Sequence, residues 1–259
     1  MTGALSLHAL ERFPLVEPGD DLCELIIAAL ADNELSLRSG DALVLAQKIV
    51  SKAEGRYANF EDVIPGDRAF ELAEQANKDP RLVELILSEA RDVVRVRPGV
   101  IIVEHRNGYI MANAGIDRSN IETSEQSPRA LLLPEAPDAS ARSLRDSLKA
   151  RLGVDVGVVI NDSVGRAWRM GTVGMTLGCA GFPPLFNQMG EQDLFGNVLE
   201  VTESAVADEL SAAASLVMGQ AAEGCPVVVA RGVDALVSMA EPDATSEALI
   251  RPREMDMFR

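Results

Sequence analysis

The dipeptide Asn107-Gly108 places the strongest single constraint on the fold of this chain. Asn-Gly favours the tight turn of a β-hairpin, and short apolar runs lie before it at 100–103 and after it at 109–112. A third apolar segment, Val93-Val94, precedes the turn-forming Pro98-Gly99. These runs predict an antiparallel meander.

Other segments predict helices and strands in mixed order. Asp20 and Asp21 occupy helix-capping positions, and apolar residues follow at helical spacing from Leu22 to Leu30. Further helices are predicted at 68–77, 80–90, 139–152 and 206–217, and further strands at 42–46, 155–160 and 227–230. Because helices and strands mix without a strict β-α-β alternation, we predict an α+β protein with mixed or antiparallel sheets.

The segment 120–137 separates two parts of the chain. It carries Pro128, Pro134 and Pro137 and is predicted to be irregular. We place a boundary at its end, which gives N-terminal and C-terminal α+β parts at 1–137 and 138–259. The two parts are expected to work as one functional unit.

Charge and composition narrow the partners and the compartment. The 259 residues contain 24 Lys and Arg against 40 Asp and Glu, a net charge of −16, which opposes binding to a nucleic-acid backbone. The sequence has neither an export signal nor an apolar run of about 18 residues. Its three cysteines form no CxxC pair. We therefore expect a cytoplasmic protein that binds neither nucleic acid nor membrane.

Asp117 is the first candidate for metal binding. It lies in the segment 113–120, which follows a predicted strand and contains one carboxylate among amide and hydroxyl side chains. The same residue types also form ordinary turns, because their side chains satisfy turn geometry. Both interpretations stay open.

Asp162 and Ser163 form a second candidate metal site, at the carboxyl end of the apolar strand predicted at 155–160. Mg²⁺ and Mn²⁺ prefer oxygen ligands, and a carboxylate beside a hydroxyl suits them. The alternative is that this pair caps the turn that follows.

Lys48 and Lys52 form a candidate phosphate site. They lie four residues apart in a segment predicted to continue the strand at 42–46. In an extended chain they would lie on one side, so that two ammonium groups face one polyphosphate. The alternative is the solvated end of a strand.

The segment from Met218 to Gly224 lies between a predicted helix and a predicted strand. Gly219 and Gly224 would allow backbone N–H groups to approach a ligand. A helix C-cap explains Gly224 equally well.

Motifs of several other protein classes are missing from the sequence. It contains neither a Walker A motif nor GxGxxG. Only two histidines are present, neither in a nucleophile motif, which disfavours serine or cysteine hydrolase chemistry and histidine-rich zinc sites. His105 precedes the Asn107-Gly108 turn and is expected to face solvent.

Taken together, the candidate segments resemble the coenzyme F420-0:γ-glutamyl ligase family. The resemblance runs collinearly from about residue 12 to residue 232. Its main segments are Phe13-Pro14-Leu15-Val16, the stretches 46–56, 112–120 and 161–169, Ala207-Asp208-Glu209-Leu210, Gly219-Gln220 and Val229-Ala230-Arg231-Gly232.

The resemblance implies a fold and an activity. The fold is an unusual α+β ligase fold that forms an intertwined homodimer. The activity is a GTP-dependent ligation that adds L-glutamate through a γ-linkage to the deazaflavin precursor F420-0, by way of an acyl phosphate. The implied cofactors are GTP as co-substrate, Mg²⁺ or Mn²⁺, and K⁺ as a further candidate ion.

The resemblance also implies roles for individual residues. Those implied to act in catalysis are Asp117, Asp162 and Lys52, and the implied metal ligands are Asp117, Asp162, Ser163 and Gln220. Residues implied to hold GTP are Pro14, Leu15, Val16, Glu17, Gln47, Lys48, Lys52, Asn120, Met218, Gly219, Gln220, Ala221, Ala222, Glu223, Gly224 and Cys225.

Two segments depart from the family pattern. Ala167 stands where relatives tend to have proline before Trp168, and Asn187-Gln188-Met189-Gly190-Glu191 replaces the acidic and basic residues around an RG pair that are usual after Pro184. The second departure concerns recognition of the acceptor. Two alternatives therefore remain: a metal- and GTP-dependent ligase for another acidic metabolite, and a non-catalytic protein that binds the deazaflavin or GTP.

Overall fold

A computed structural model describes residues 3–124 and 127–257 and has the predicted α+β architecture. The α-helices of the described residues are α1 (Leu22–Asp32), α2 (Gln47–Ala53), α3 (Asp67–Ala76), α4 (Pro80–Ser88), α5 (Pro137–Leu152), α6 (Val206–Met218) and α7 (Asp234–Met239). The strands are β1 (Ser6–Ala9), β2 (Ala42–Ala46), β3 (Tyr57–Asn59), β4 (Ala90–Arg97), β5 (Val100–His105), β6 (Ile110–Ala112), β7 (Arg129–Leu131), β8 (Gly157–Gly165), β9 (Thr172–Ala180), β10 (Phe186–Asn187), β11 (Glu203–Ser204) and β12 (Val227–Arg231). None of these helices is both long and apolar enough to cross a lipid bilayer.

A five-stranded sheet with the order β1-β12-β2-β8-β9 forms the centre of the protein. Only the β2-β8 pair is parallel, and its neighbours in the sheet are antiparallel. The sheet is therefore mixed, as the sequence predicts. It takes strands from both sides of residue 137, while the proposed division of the chain at that point stays a prediction.

Helices cover both faces of the central sheet, which explains the continuous apolar runs in its strands. Leu43 and Leu45 on β2 pack with α1 and α5, whereas Ala42 and Val44 point to the opposite face, towards α6 and α7. Alternating residues of one strand thus enter two separate cores.

The predicted meander is confirmed as the antiparallel sheet β4-β5-β6. Its apolar face packs against α3 and α4 in a third core, which includes the buried side chain of Phe60. The short sheet β3-β7 lies next to this core, since Ala58 and Ala130 belong to it. The strand β7 lies in the segment that was predicted to be irregular.

The expected extension of strand β2 through Lys52 is wrong, because the chain turns into helix α2 at Gln47. Ile49 and Val50 on this helix are buried in the core that β2 forms with α1 and α5. That burial favours the helix over a longer strand. Residues four apart also lie on one face of a helix. Lys48 and Lys52 therefore still share a side.

The expected strand end before Asp162 is also wrong, because β8 continues to Gly165. An irregularity interrupts its pairing with β9: Ile160 lies opposite Gly178 and Asn161 opposite Thr176, so Leu177 is the extra residue of a β-bulge. Asp162 and Ser163 are consequently strand residues, and neither caps a turn.

His105 is buried, contrary to the expectation that it faces solvent. Its Nδ1 accepts a hydrogen bond from the Asn107 backbone, and its Nε2 lies 3.5 Å from Glu89. Arg56 and Arg106 also reach the Glu89 carboxylate, at 3.0 and 3.2 Å. Because Glu89 is buried, this cluster is an internal ion-pair network that joins the meander to helix α4.

Candidate active site

A cleft of about 820 Å³ lies at the carboxyl end of β2 and beside residues 161–163 in the middle of β8, where both segments change from apolar to polar residues. Every residue expected to hold GTP lines it: Pro14, Leu15, Val16, Glu17, Gln47, Lys48, Lys52, Asn120, Met218, Gly219, Gln220, Ala221, Ala222, Glu223, Gly224 and Cys225. Asp162 and Ser163 also line this cleft. The fold thus brings together segments that are far apart in the sequence, while the roles of these residues stay predictions.

Helix α2 places three polar side chains in the cleft. Lys52 is half-buried, and that burial lowers the pKa of its ammonium, as does the charge of Lys48, whereas Glu17 raises it. Gln47 is buried and accepts a hydrogen bond from Ser51 at 2.8 Å. Its side-chain nitrogen has no hydrogen-bond partner among the described residues. An unpaired buried donor in a cleft is a group that a bound ligand would satisfy.

Asp117 does not line the cleft, but its carboxylate forms an ion pair with Lys48, which does. Burial opposes ionisation of Asp117, yet the ammonium of Lys48 and hydrogen bonds from Ser119 hold the pKa of the carboxyl below its usual value. The bonds from the Ser119 backbone and hydroxyl form a local turn. The turn and the charged contact therefore coexist at this residue.

Strained backbone lies three and four residues before Asp117. Asn113 and Ala114 have φ angles of 52° and 54°, a region that non-glycine residues rarely adopt. Ala114 is buried, and the Asn113 side chain accepts a hydrogen bond from the backbone of Ile101 at 3.1 Å. Strain held by surrounding packing is common at functional sites.

The carboxyl of Asp162 has a strongly raised pKa. Burial raises its pKa to about 6, and the negative charge of Asp117 adds to that effect, although Lys48 opposes it. Lys48 therefore acts on both carboxylates. Two aspartates that share one ammonium form a site with surplus negative charge, which favours a cation.

Ser163 and Gln220 connect β8 to the segment after α6. The Ser163 hydroxyl donates to the Gln220 side-chain oxygen at 2.7 Å. Asn120 donates to the Ala221 carbonyl at 2.9 Å, so the loop that follows Asp117 is tied to the same segment. These bonds hold β8, the loop that follows Asp117 and the segment after α6 in fixed positions around the cleft.

The segment after α6 is shaped by Gly219 and Glu223. Gly219, not Gly224, is the C-cap of the helix, and its φ is 73°. A β-carbon at this position would lie 2.2 Å from the Glu223 side chain. Glu223 in turn accepts a hydrogen bond from the backbone of Ala221 at 2.8 Å, which lowers the pKa of its carboxyl. The loop is therefore held in a conformation that requires glycine.

The sequence analysis missed Tyr57, Glu122 and Arg129, which also line the cleft. The Arg129 guanidinium lies 5.1 Å from the ring centre of Tyr57 and 3.4 Å from the Glu122 carboxylate. No local pattern marks these residues, because Tyr57 and Arg129 lie on the short strands β3 and β7, which have no clear apolar alternation, and Glu122 lies in the loop before β7.

The residues expected to bind metal form a set of oxygen donors. Asp117 and Asp162 supply carboxylates, Ser163 a hydroxyl and Gln220 an amide oxygen, and hard divalent cations take such ligands. The described residues contain no group of three or more His, Cys, Asp and Glu side chains arranged for a metal. The surplus charge around Asp162 fits a cation that completes its ligands from a bound phosphate.

Comparison with known proteins adds an independent finding. The family model described as F420-0:γ-glutamyl ligase matches residues 11–232. A protein named coenzyme F420:L-glutamate ligase from Methanothermobacter thermautotrophicus is 45% identical over 98% of this chain and 99% of its own length. Proteins of the same name from Methanopyrus kandleri and Methanocaldococcus jannaschii are 44% and 40% identical, over 99% and 96% of the chain and 100% and 94% of their own lengths.

Proposed function

Because the chain belongs to the F420-0:γ-glutamyl ligase family, we propose that it joins L-glutamate through a γ-linkage to the deazaflavin precursor F420-0. We further propose that GTP drives this reaction and that an acyl phosphate is the intermediate. The observation that carries the proposal is one cleft lined by Lys48, Lys52 and Asp162, with Asp117 ion-paired to Lys48 beside it. A protein that only binds a ligand does not require lysine ammonium groups and buried carboxylates next to one another.

GTP fits the part of the cleft between α2 and the segment after α6. The cleft is large enough for a nucleotide, and Lys48 and Lys52 supply ammonium groups for its phosphates. The side-chain nitrogen of Gln47 supplies one more donor. These groups position the phosphates and offset their charge in a protein whose net charge is −16.

A divalent cation, Mg²⁺ or Mn²⁺, would be held by Asp117, Asp162, Ser163 and Gln220. When bound, it would neutralise charge on the phosphates. Lys48 contacts Asp117 and so keeps the carboxylate ionised and oriented. K⁺ remains a further candidate ion for the same phosphate region.

The proposed chemistry solves the problem that a carboxylate does not react with an amine in water. An oxygen of the acceptor carboxylate attacks the γ-phosphorus, and GDP leaves. The glutamate nitrogen then attacks the acyl carbon, and phosphate departs with the proton of the amine. Lys48 and Lys52 stabilise charge on the phosphoryl group during both steps, mainly by electrostatics.

We also propose a homodimer. Large apolar side chains are exposed at two places. Between β10 and β11, Leu194 is 100% and Phe195 89% exposed. In the loop after β8, Trp168 and Met170 are 85% and 95% exposed. Exposed apolar groups at this density are typical of surfaces that bind another protein chain.

A ligase for another acidic metabolite is the second candidate function. It is favoured by the segment 187–191, in which Asn187, Gln188 and Met189 stand where charged residues are usual. This segment lies at β10 and just beyond it, and Met189 is exposed.

One experiment separates these functions. The protein is incubated with GTP, Mn²⁺, F420-0 and L-glutamate, and the mass of the acceptor is followed together with GDP release. The ligase requires a gain of one glutamyl residue per GDP, and hydroxylamine in place of glutamate must yield a hydroxamate. GDP release without a mass gain indicates a different acceptor. Binding of F420-0 with neither signal indicates a non-catalytic protein.

A further inference from the structure

A second cavity of about 440 Å³ lies beside the loop that follows Asp117. The loop has two sides. Asn120, Ile121 and Glu122 line the large cleft, whereas Arg118, Thr123 and Ser124 line the second cavity. Residues of this loop therefore line both cavities.

Two guanidinium groups stack on one aromatic ring in the second cavity. Arg81 and Arg118 each lie 5.4 Å from the ring centre of Phe60, which is itself buried. Stacking orients the plane of an arginine without using its N–H donors. The Arg118 donors thus stay available for a ligand in the cavity.

The two arginines differ in their partners. Arg81 is neutralised, since two of its nitrogens donate to the Asp79 carboxylate at 2.7 and 3.1 Å. Arg118 has no hydrogen bond or ion pair with any residue in 3–124 or 127–257. Its charge acts on Asp79 and Lys78 only at longer range.

The local charge is positive although the protein is strongly acidic. Lys78, Arg81 and Arg118 face the carboxylates of Asp79 and, at longer range, Glu61. Burial lowers the pKa of Lys78, and the charge of Arg118 lowers it further. This cluster has three cations against two carboxylates, which favours a bound anion.

We propose that the second cavity binds a carboxylate through Arg118, and that this ligand is the amino-acid substrate, L-glutamate. The inference rests on the proposed function for the identity of the ligand. A guanidinium fork matches a carboxylate, and the hydroxyls of Thr123 and Ser124 add donors and acceptors for its polar groups. The cavity volume of about 440 Å³ is sufficient for an amino acid, and Arg118, which lines it, directly follows Asp117, the proposed metal ligand that contacts Lys48.

The test combines kinetics with direct binding. Steady-state KM values for glutamate, GTP and F420-0 are measured for the wild type, Arg118→Gln and Arg118→Lys, and radiolabelled L-glutamate is used for equilibrium dialysis. Loss of one charge-assisted pair should raise the glutamate KM and Kd of Arg118→Gln by about tenfold or more. The KM values for GTP and F420-0 should stay the same, and Arg118→Lys should be intermediate.

Arg68→Gln is the matched control, because it removes an exposed cation from helix α3 without lining either cavity. Unchanged glutamate KM and Kd in Arg118→Gln, with ligation intact in the wild type, would overturn the inference alone. A higher KM for F420-0 instead would assign the cavity to the acidic acceptor and would also overturn it. If dialysis shows Arg118-dependent glutamate binding but no acceptor gains mass, the cavity is supported and the proposed function fails.

Discussion

The Ser163 hydroxyl donates to the Gln220 side-chain oxygen at 2.7 Å and so links strand β8 to a residue 57 positions later in the chain. Both groups are oxygen donors of the proposed metal site. Ser163→Ala removes one donor and leaves Gln220 without its partner. We expect weaker Mn²⁺ binding in the presence of GTP, measured by calorimetry. Ser163→Thr keeps the hydroxyl on a strand and should bind Mn²⁺ as the wild type does; equal affinity in the alanine variant would contradict the role.

Asp162→Ala should abolish GTP-dependent turnover and leave the melting temperature of the metal-free protein unchanged or higher. The pKa of Asp162 is raised from 3.8 to about 6, so the folded state binds more protons than the unfolded state between these values. Stability contributed by this group therefore falls as pH rises from about 4 to 6. Thermal unfolding followed across this range should show less of that loss in Asp162→Ala. A drop of several degrees with retained activity would mark Asp162 as structural.

Lys52→Ala should weaken GTP binding by about 10- to 100-fold, because an ammonium against a polyphosphate contributes charge-assisted hydrogen bonds. Binding of F420-0 should change far less. Calorimetry with Mn²⁺ present measures both affinities. Lys149→Ala is a suitable control, since Lys149 is ion-paired with Asp155 on the surface and does not line the cleft. Equal GTP affinity in Lys52→Ala and the wild type would exclude the proposed contact.

Gly219→Ala should cost both stability and GTP affinity. The new β-carbon would lie 2.2 Å from the Glu223 side chain at a residue whose φ is 73°, so that side chain must move and release its hydrogen bond with the Ala221 backbone. Gly224→Ala provides the comparison, because its φ is 68° but no atom lies within 4 Å of the added carbon. That variant should show only the strain of a positive φ, about 1 kcal/mol. Chemical denaturation and GTP titration of both variants should distinguish the backbone strain of a positive φ from the displacement of Glu223. Equal losses of stability and GTP affinity in the two variants would argue against the contact with Glu223.

Glu89→Gln should destabilise the protein by about 3 kcal/mol, because it leaves Arg56 and Arg106 without their buried carboxylate. Burial raises the pKa of Glu89, but His105 and the two arginines outweigh it and hold the pKa below its usual value of 4.5. This contribution to stability is present above that value and is lost as pH falls through the lower pKa of the folded state. Urea unfolding at several pH values measures both effects. A variant as stable as the wild type at pH 7 would show that the network is dispensable.

The sequence predicted elements well where local patterns decide them. The helix from Leu22 and the Asn107-Gly108 hairpin are confirmed, since a cap and a turn dipeptide act over a few residues. Helix α2 was predicted as a strand, because its short apolar pair fits either structure until tertiary burial selects one. The buried position of His105 likewise depends on Glu89, which lies on another element.

The residues of the candidate site also divide into those that the sequence predicted and those that depend on tertiary contacts. The residues that line the cleft were found through their resemblance to a family, whereas Tyr57 and Arg129 required the pairing of β3 with β7. The strained φ of Ala114 has no signal in the residue type. The positive cavity around Arg118 depends on which faces of the loop meet Phe60, and no spacing rule encodes that.

The order of strands in the central sheet has a consequence for protein synthesis. β1 at the beginning of the chain pairs with β12, and the cleft is lined by residues as distant as Phe13 and Pro226. Contacts of such long sequence separation form late and slow folding. A nascent chain that still has β12 inside the ribosome therefore exposes the edge of β2 and lacks part of the cleft lining. The complete cleft consequently forms only after β12 has left the ribosome.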